Sequence, residues 1–154
     1  MGKTSNFMKY IHTNLTVEDL EGISEFYQKV FGCIPVRSPD DLDGQWVEDI
    51  TAVKNAAIRY VHLTLPGYGP EGPELELIQY RNEVSHPEKI SNCSGYGHIA
   101  FSVDDVQDVL QKIVQEGGGV IGEVVKTEVP NRGVLTEVYV TDPEGNIIEL
   151  QHYD

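Results

Sequence analysis

YIHTNLTVEDL, residues 10–20, lies over YGHIAFSVDDV, residues 96–106, and this internal match decides how the chain folds. At an offset of 86, Tyr10 meets Tyr96, His12 meets His98, Val17 meets Val103 and Asp19 meets Asp105. A second block matches at an offset of 73. There Pro70-Glu71-Gly72 lies over Pro143-Glu144-Gly145, then Glu76 over Glu149, Leu77 over Leu150 and Tyr80 over Tyr153. Two blocks in the same order, each with a turn or helix-start signal, mark a duplication, and such a repeat sets the architecture. The change of offset places 13 extra residues in the middle of the first half. A surface loop takes up an insertion at small entropic cost. Pro39 to Gly44, within SPDDLDG, is expected to form part of that loop.

Each half reads as β-α-β-β-β. In the first, an alternating strand from Tyr10 to Val17 precedes a helix with Leu20, Ile23, Tyr27, Val30 and Phe31 at spacings of three or four. Asp19 suits its start and Gly32 its end. Strands follow at Ile34 to Arg37, Ala57 to Leu65 and Glu74 to Tyr80. In the second half, a strand from His98 to Val103 leads into a helix carrying Val106, Val109, Leu110, Ile113 and Val114, stopped by Gly117-Gly118-Gly119. Strands are expected at Val120 to Val125, Leu135 to Thr141 and Asn146 to Tyr153, with the two PEG segments as hairpin corners. The expected fold is α+β: one domain over residues 1–154, with module one at about 9–80, a polar linker at 81–94 and module two at about 95–154. A helix covers one face of each four-stranded sheet, and pairing the halves bends both mixed sheets around a shared cleft.

Composition narrows the function. Of 154 residues, 40% are hydrophobic and 23% charged, as in a water-soluble domain. No apolar run approaches the ~20 residues that span a bilayer. Met1 to Tyr10 has no apolar region ahead of a cleavage site. Two cysteines, Cys33 and Cys93, make no disulfide framework, and a reducing cytoplasm is expected. The net charge of −14 repels phosphate backbones, so neither nucleic acid nor a membrane is an expected partner.

Residues two apart on a strand share a face. His12 lies with Asn14 and Thr16, opposite the mostly apolar Ile11, Thr13, Leu15 and Val17; His98 lies with Ala100 and Ser102, opposite Ile99, Phe101 and Val103. Both histidines thus fall on the polar face, toward the cleft. Glu76 and Glu149 are carboxylates inside apolar strand segments, where an unpaired charge is costly. Two histidines and two glutamates at duplicated positions suit one divalent ion, and nickel, cobalt, zinc, manganese and iron all accept such donors. His62 lacks a histidine at its counterpart, His86 sits in the linker beside Pro87 and His152 alternates away from Glu149, so all three read as surface or structural.

IHTNLTVEDL with FYQKVFG, GYGPEGPELELIQY, YGHIAFSVDD and DPEGNIIELQ together resemble the vicinal oxygen chelate superfamily, glyoxalase I in particular. The resemblance implies metal ligation by His12, Glu76, His98 and Glu149. It also implies a lyase or isomerase that transfers a proton through a metal-bound enediolate, on a small substrate with adjacent oxygens. Glu149 is the expected base and Glu76 its partner, and a homodimer is common in such proteins. For glyoxalase I the substrate is the hemithioacetal of methylglyoxal and glutathione. Thr16 departs from the pattern, because bacterial members carry an arginine there for glutathione. Arg59, Lys126 and Arg132 are the alternative cations, Arg132 in a Pro130–Gly133 segment that reads as a mobile loop able to close on the cleft. A methylmalonyl-CoA epimerase-like isomerase, a ring-cleaving dioxygenase and a non-catalytic small-molecule binding protein are the competing readings. Need for a thiol, iron content, and a metal-free protein with a tight aromatic ligand separate them.

Overall fold

A computed structural model of the chain describes residues 7–154; the first six, part of the N-terminal stretch read above, lie outside the described residues. The described chain runs β1 (His12–Thr16), α1 (Leu20–Phe31), β2 (Ile34–Pro35), β3 (Asp40–Leu42), α2 (Gln45–Thr51), β4 (Ile58–Thr64) and β5 (Glu74–Tyr80). It continues with β6 (Ile99–Ser102), α3 (Val106–Gln115), β7 (Gly119–Val120), β8 (Val125–Val129), β9 (Gly133–Thr141) and β10 (Ile147–Tyr153). Two compact units result: residues up to Leu20 with Gly32–Asn82, and Glu21–Phe31 with Glu83–Asp154. Among the described residues no helix is long and apolar enough to cross a membrane.

The first unit holds a sheet ordered β1-β5-β4-β2, with β3 also on β4. β1 runs parallel to β5, and β4 antiparallel to β5. Alternation on β4 and β5 buries Val61, Leu63, Leu75 and Leu77 on one face with Val17, Leu20 and Val47. Burying such side chains contributes about 1.5–3 kcal/mol each, and this apolar layer fixes the register. The opposite face then has to carry His12, Asn14, His62, Glu74 and Glu76.

The second unit repeats the order as β6-β10-β9-β7, with β8 on β9 and β6 parallel to β10. Leu135, Val138, Val140, Ile148 and Leu150 are buried with Ile113 of α3. α1 precedes the first sheet's remaining strands in the chain yet packs in this unit. Its Phe31 stacks on Phe101 with ring centroids 3.9 Å apart, and its Tyr27 hydroxyl donates to Asp142 at 3.0 Å. α3 starts on Asp105, whose carboxylate accepts from the Asp108 amide at 2.9 Å. It ends in a Schellman turn: Gly118 N–H donates to Ile113 C=O and Gly117 N–H to Val114 C=O, with Gly117 at φ +92°.

Four expectations need correcting. Asp40–Leu42 is strand rather than loop, because it pairs with β4, and its counterpart β8 likewise gives each sheet a fifth strand. Much of the first half's extra length forms α2, which anchors itself by burying Val47. The strand read at Val120 to Val125 is two strands, β7 and β8, on different parts of β9. Pro130–Gly133 is also no free loop. It is the corner of the β8–β9 hairpin, closed by Arg132 N–H to Val129 C=O at 3.0 Å, with Asn131 and Gly133 at positive φ.

Candidate metal centre

Strand register places the polar side chains of the first unit. Across β4 and β5, His62 stands opposite Glu76 and Thr64 opposite Glu74; across β1 and β5, Asn14 stands opposite Glu76 and His12 opposite Glu74. His12 Nε2 is 3.5 Å from Glu76 Oε1, and His62 Nε2 is 3.1 Å from Glu76 Oε2. His62 Nδ1 is 2.8 Å from Glu74 Oε2. The rings of His12 and His62 meet edge to face with centroids 5.3 Å apart. One ligand atom from each of His12, His62 and Glu76 lies within 4.8 Å of the others, a convergence of imidazole and carboxylate donors that suits a divalent ion. Glu76 is largely enclosed, its side chain 16% exposed, so its charge calls for a cationic partner.

In the second unit, His98 Nε2 and Glu149 Oε2 are 3.0 Å apart. Tyr139 stands opposite Glu149, and its ring lies 4.8 Å from that of His98. Glu137, two residues along β9, faces the same way. Its carboxyl is held above the ordinary carboxylate range, first by loss of solvent and then by the hydrogen bond and like charge of Glu149. His98–Glu149 repeats His12–Glu76, and the register makes Tyr139 the counterpart of His62.

His62 is the residue that the reading of the duplication missed. Its counterpart is an aromatic, so the repeat was silent, although its place between Val61 and Leu63 put it on the face of Glu76. His152 and His86 behave as expected: His152 Nδ1 is 2.8 Å from Val103 C=O, and His86 is exposed. Arg59 pairs with Asp41 at 3.0 Å, and Lys126 and Arg132 are exposed. A cation not singled out from the sequence is linked to the cluster through an aromatic ring. Arg37 Nη2 donates to the Tyr60 hydroxyl at 2.5 Å, and its guanidinium lies 5.7 Å from the centre of that ring. Tyr60 in turn meets the His62 ring edge to face at 5.9 Å. Cys33 is buried, its thiol pushed up to about 11, and therefore inert; Cys93 is free and exposed.

Comparison with known proteins bears on this site. The family described as the Glyoxalase/Bleomycin resistance protein/Dioxygenase superfamily matches residues 9–150. The lactoylglutathione lyase of Escherichia coli O157:H7 is 34% identical over 145 residues, covering 93% of this chain and 91% of that protein. The lactoylglutathione lyase of Neisseria meningitidis serogroup A is 30% identical over 143 residues, covering 93% and 89%. Among solved structures, a glyoxalase family protein from Bacillus cereus matches with a TM-score of 0.83 at 19% identity, over 98% of each chain. The trypanothione-dependent glyoxalase I of Leishmania major matches with a TM-score of 0.62 at 26% identity, over 95% of this chain and 87% of that one. The chain belongs to the glyoxalase/bleomycin resistance protein/dioxygenase superfamily.

Proposed function

We propose that this chain is a metal-dependent lyase of the glyoxalase I type, with His12, Glu76, His98 and Glu149 as ligands of one divalent ion. The observation that carries this reading is the repeated His–Glu pair, at equivalent strand positions in the two units. The relatives named lactoylglutathione lyase support the same reaction class. The substrate proposed is the hemithioacetal of a 2-oxoaldehyde with glutathione. When bound, a divalent ion acts as a Lewis acid on the adjacent oxygens and acidifies the neighbouring C–H. Glu149 takes that proton from one carbon and returns it to the next, with Glu76 as its partner. His12 and His98 stand against these glutamates, at 3.5 and 3.0 Å, which gathers the four donors in two matched pairs. Arg37, backed by Tyr60, offers a local positive charge for an anionic substrate tail, which the net charge of −14 would otherwise repel.

The same reading makes the protein a cytoplasmic homodimer with neither nucleic acid nor a membrane as partner. Two free cysteines suit a reducing compartment, and sedimentation tests the dimer.

The test is turnover of methylglyoxal with glutathione, followed through thioester formation, before and after chelation. Activity is expected to vanish on chelation and return with a divalent ion, and Glu149→Gln should lower kcat by about 10²–10⁴-fold. Equal activity after complete metal removal contradicts the reading. So does a lack of turnover of any thiol adduct by the metal-loaded protein.

A further inference from the structure

His62 stands between two carboxylates of β5. Glu74 Oε2 is 2.8 Å from Nδ1 and Glu76 Oε2 is 3.1 Å from Nε2, so a carboxylate faces each ring nitrogen. Nδ1 is buried and makes no aligned hydrogen bond. A metal ion held by one ring nitrogen leaves the other to the facing carboxylate. The place for one is the Glu76 side, where His12 Nε2 also converges at 3.5 Å from Oε1. The ligand atoms of His12, His62 and Glu76 lie within 4.8 Å of one another, a spacing close to that of donors bound at about 2.0–2.2 Å to a shared ion.

We propose that His62 is a third donor from the first unit to the ion that His12 and Glu76 hold, with Glu74 as the carboxylate that orients its ring. Ligating histidines commonly present their second nitrogen to a carboxylate, which fixes the tautomer and strengthens the donor. Glu74 stands at the nitrogen where that partner is needed. Tyr60 and His12 meet the His62 ring edge to face from two directions, which limits its rotation. The second unit has Tyr139 in the corresponding place, so the duplicated units are unequal: three donors in one, two in the other. This role rests on the metal-binding reading of His12 and Glu76.

The test is titration of the metal-free, full-length protein with Co²⁺, read through competition with a chelator and through visible absorption bands. His62→Gln is expected to weaken Co²⁺ at least ~10-fold and to shift the bands, while Glu74→Gln weakens it less and keeps them. Circular dichroism establishes that each variant is folded. In the unmutated protein, Co²⁺ should displace the imidazole N–H resonance of His62 together with that of His12, a readout independent of any variant. Wild-type affinity and bands in folded His62→Gln, or a His62 resonance that Co²⁺ leaves in place while that of His12 moves, overturn the role of His62 and leave the metal reading standing. A wild-type protein that takes up no Co²⁺ overturns both.

Discussion

Asp142 is a carboxylate almost fully withdrawn from water at the β9–β10 corner, and its neighbours keep it there. It accepts from the backbone N–H of Glu144 and of Asn146, from Asn146 Nδ2 at 2.7 Å and from the Tyr27 hydroxyl at 3.0 Å. Burial still holds its carboxyl above the ordinary range, against the pull of those bonds. Tyr27→Phe removes one donor from a buried acceptor and should cost about 1–3 kcal/mol, read from the shift of a urea transition. Arg37 makes a prediction of the functional kind. Arg37→Ala should raise KM for a thiol adduct bearing carboxylates while leaving kcat nearly unchanged, and steady-state kinetics checks it. At this scale the sequence was informative only where the duplication spoke. His12, Glu76, His98 and Glu149 stand out because each has a matched partner. His62, Arg37 and Glu137 owe their importance to cross-strand neighbours of a different residue type in each half, which a repeat cannot flag.

Elements with a strong period were readable in advance. α1 and α3 start and stop within a residue or two of the expected capping residues, because Gly32, Gly117 and the aspartates punctuate clear helical stripes. β4, β5, β9 and β10 follow from alternation. The short strands β3, β7 and β8 were not readable in the same way, since they exist by pairing with a longer neighbour rather than by a pattern of their own. α2 escaped because its seven residues bury a single side chain, too few for a stripe. The packing partner of α1 was equally silent, because an apolar stripe says that a helix needs a sheet and not which one. Gly118 shows how closely α3 approaches β9. A Cβ there would strike the Thr141 carbonyl oxygen and lie 2.6 Å from Ile113 Cγ2. Gly118→Ala should therefore cost about 1–3 kcal/mol, measured by thermal or urea unfolding.

The molecule carries the same chemistry twice. Each unit has a buried aliphatic layer that fixes strand register, and that register leaves a His–Glu pair on the opposite face. The excess of acidic residues makes a bound cation the natural counterweight at those faces and leaves anionic substrates dependent on local positive charge. Family membership, over residues 9–150, fits both features. The central claim is that the paired residues are metal ligands, and elemental analysis tests it most directly. The protein would be purified without a metal-binding tag, dialysed, and assayed for metal per chain beside Glu76→Gln and Glu149→Gln. Near-stoichiometric nickel, cobalt, zinc, manganese or iron in the wild type, with a clear loss in both variants, is the predicted result. A metal-free wild type that takes up none of these ions on reconstitution would contradict the account.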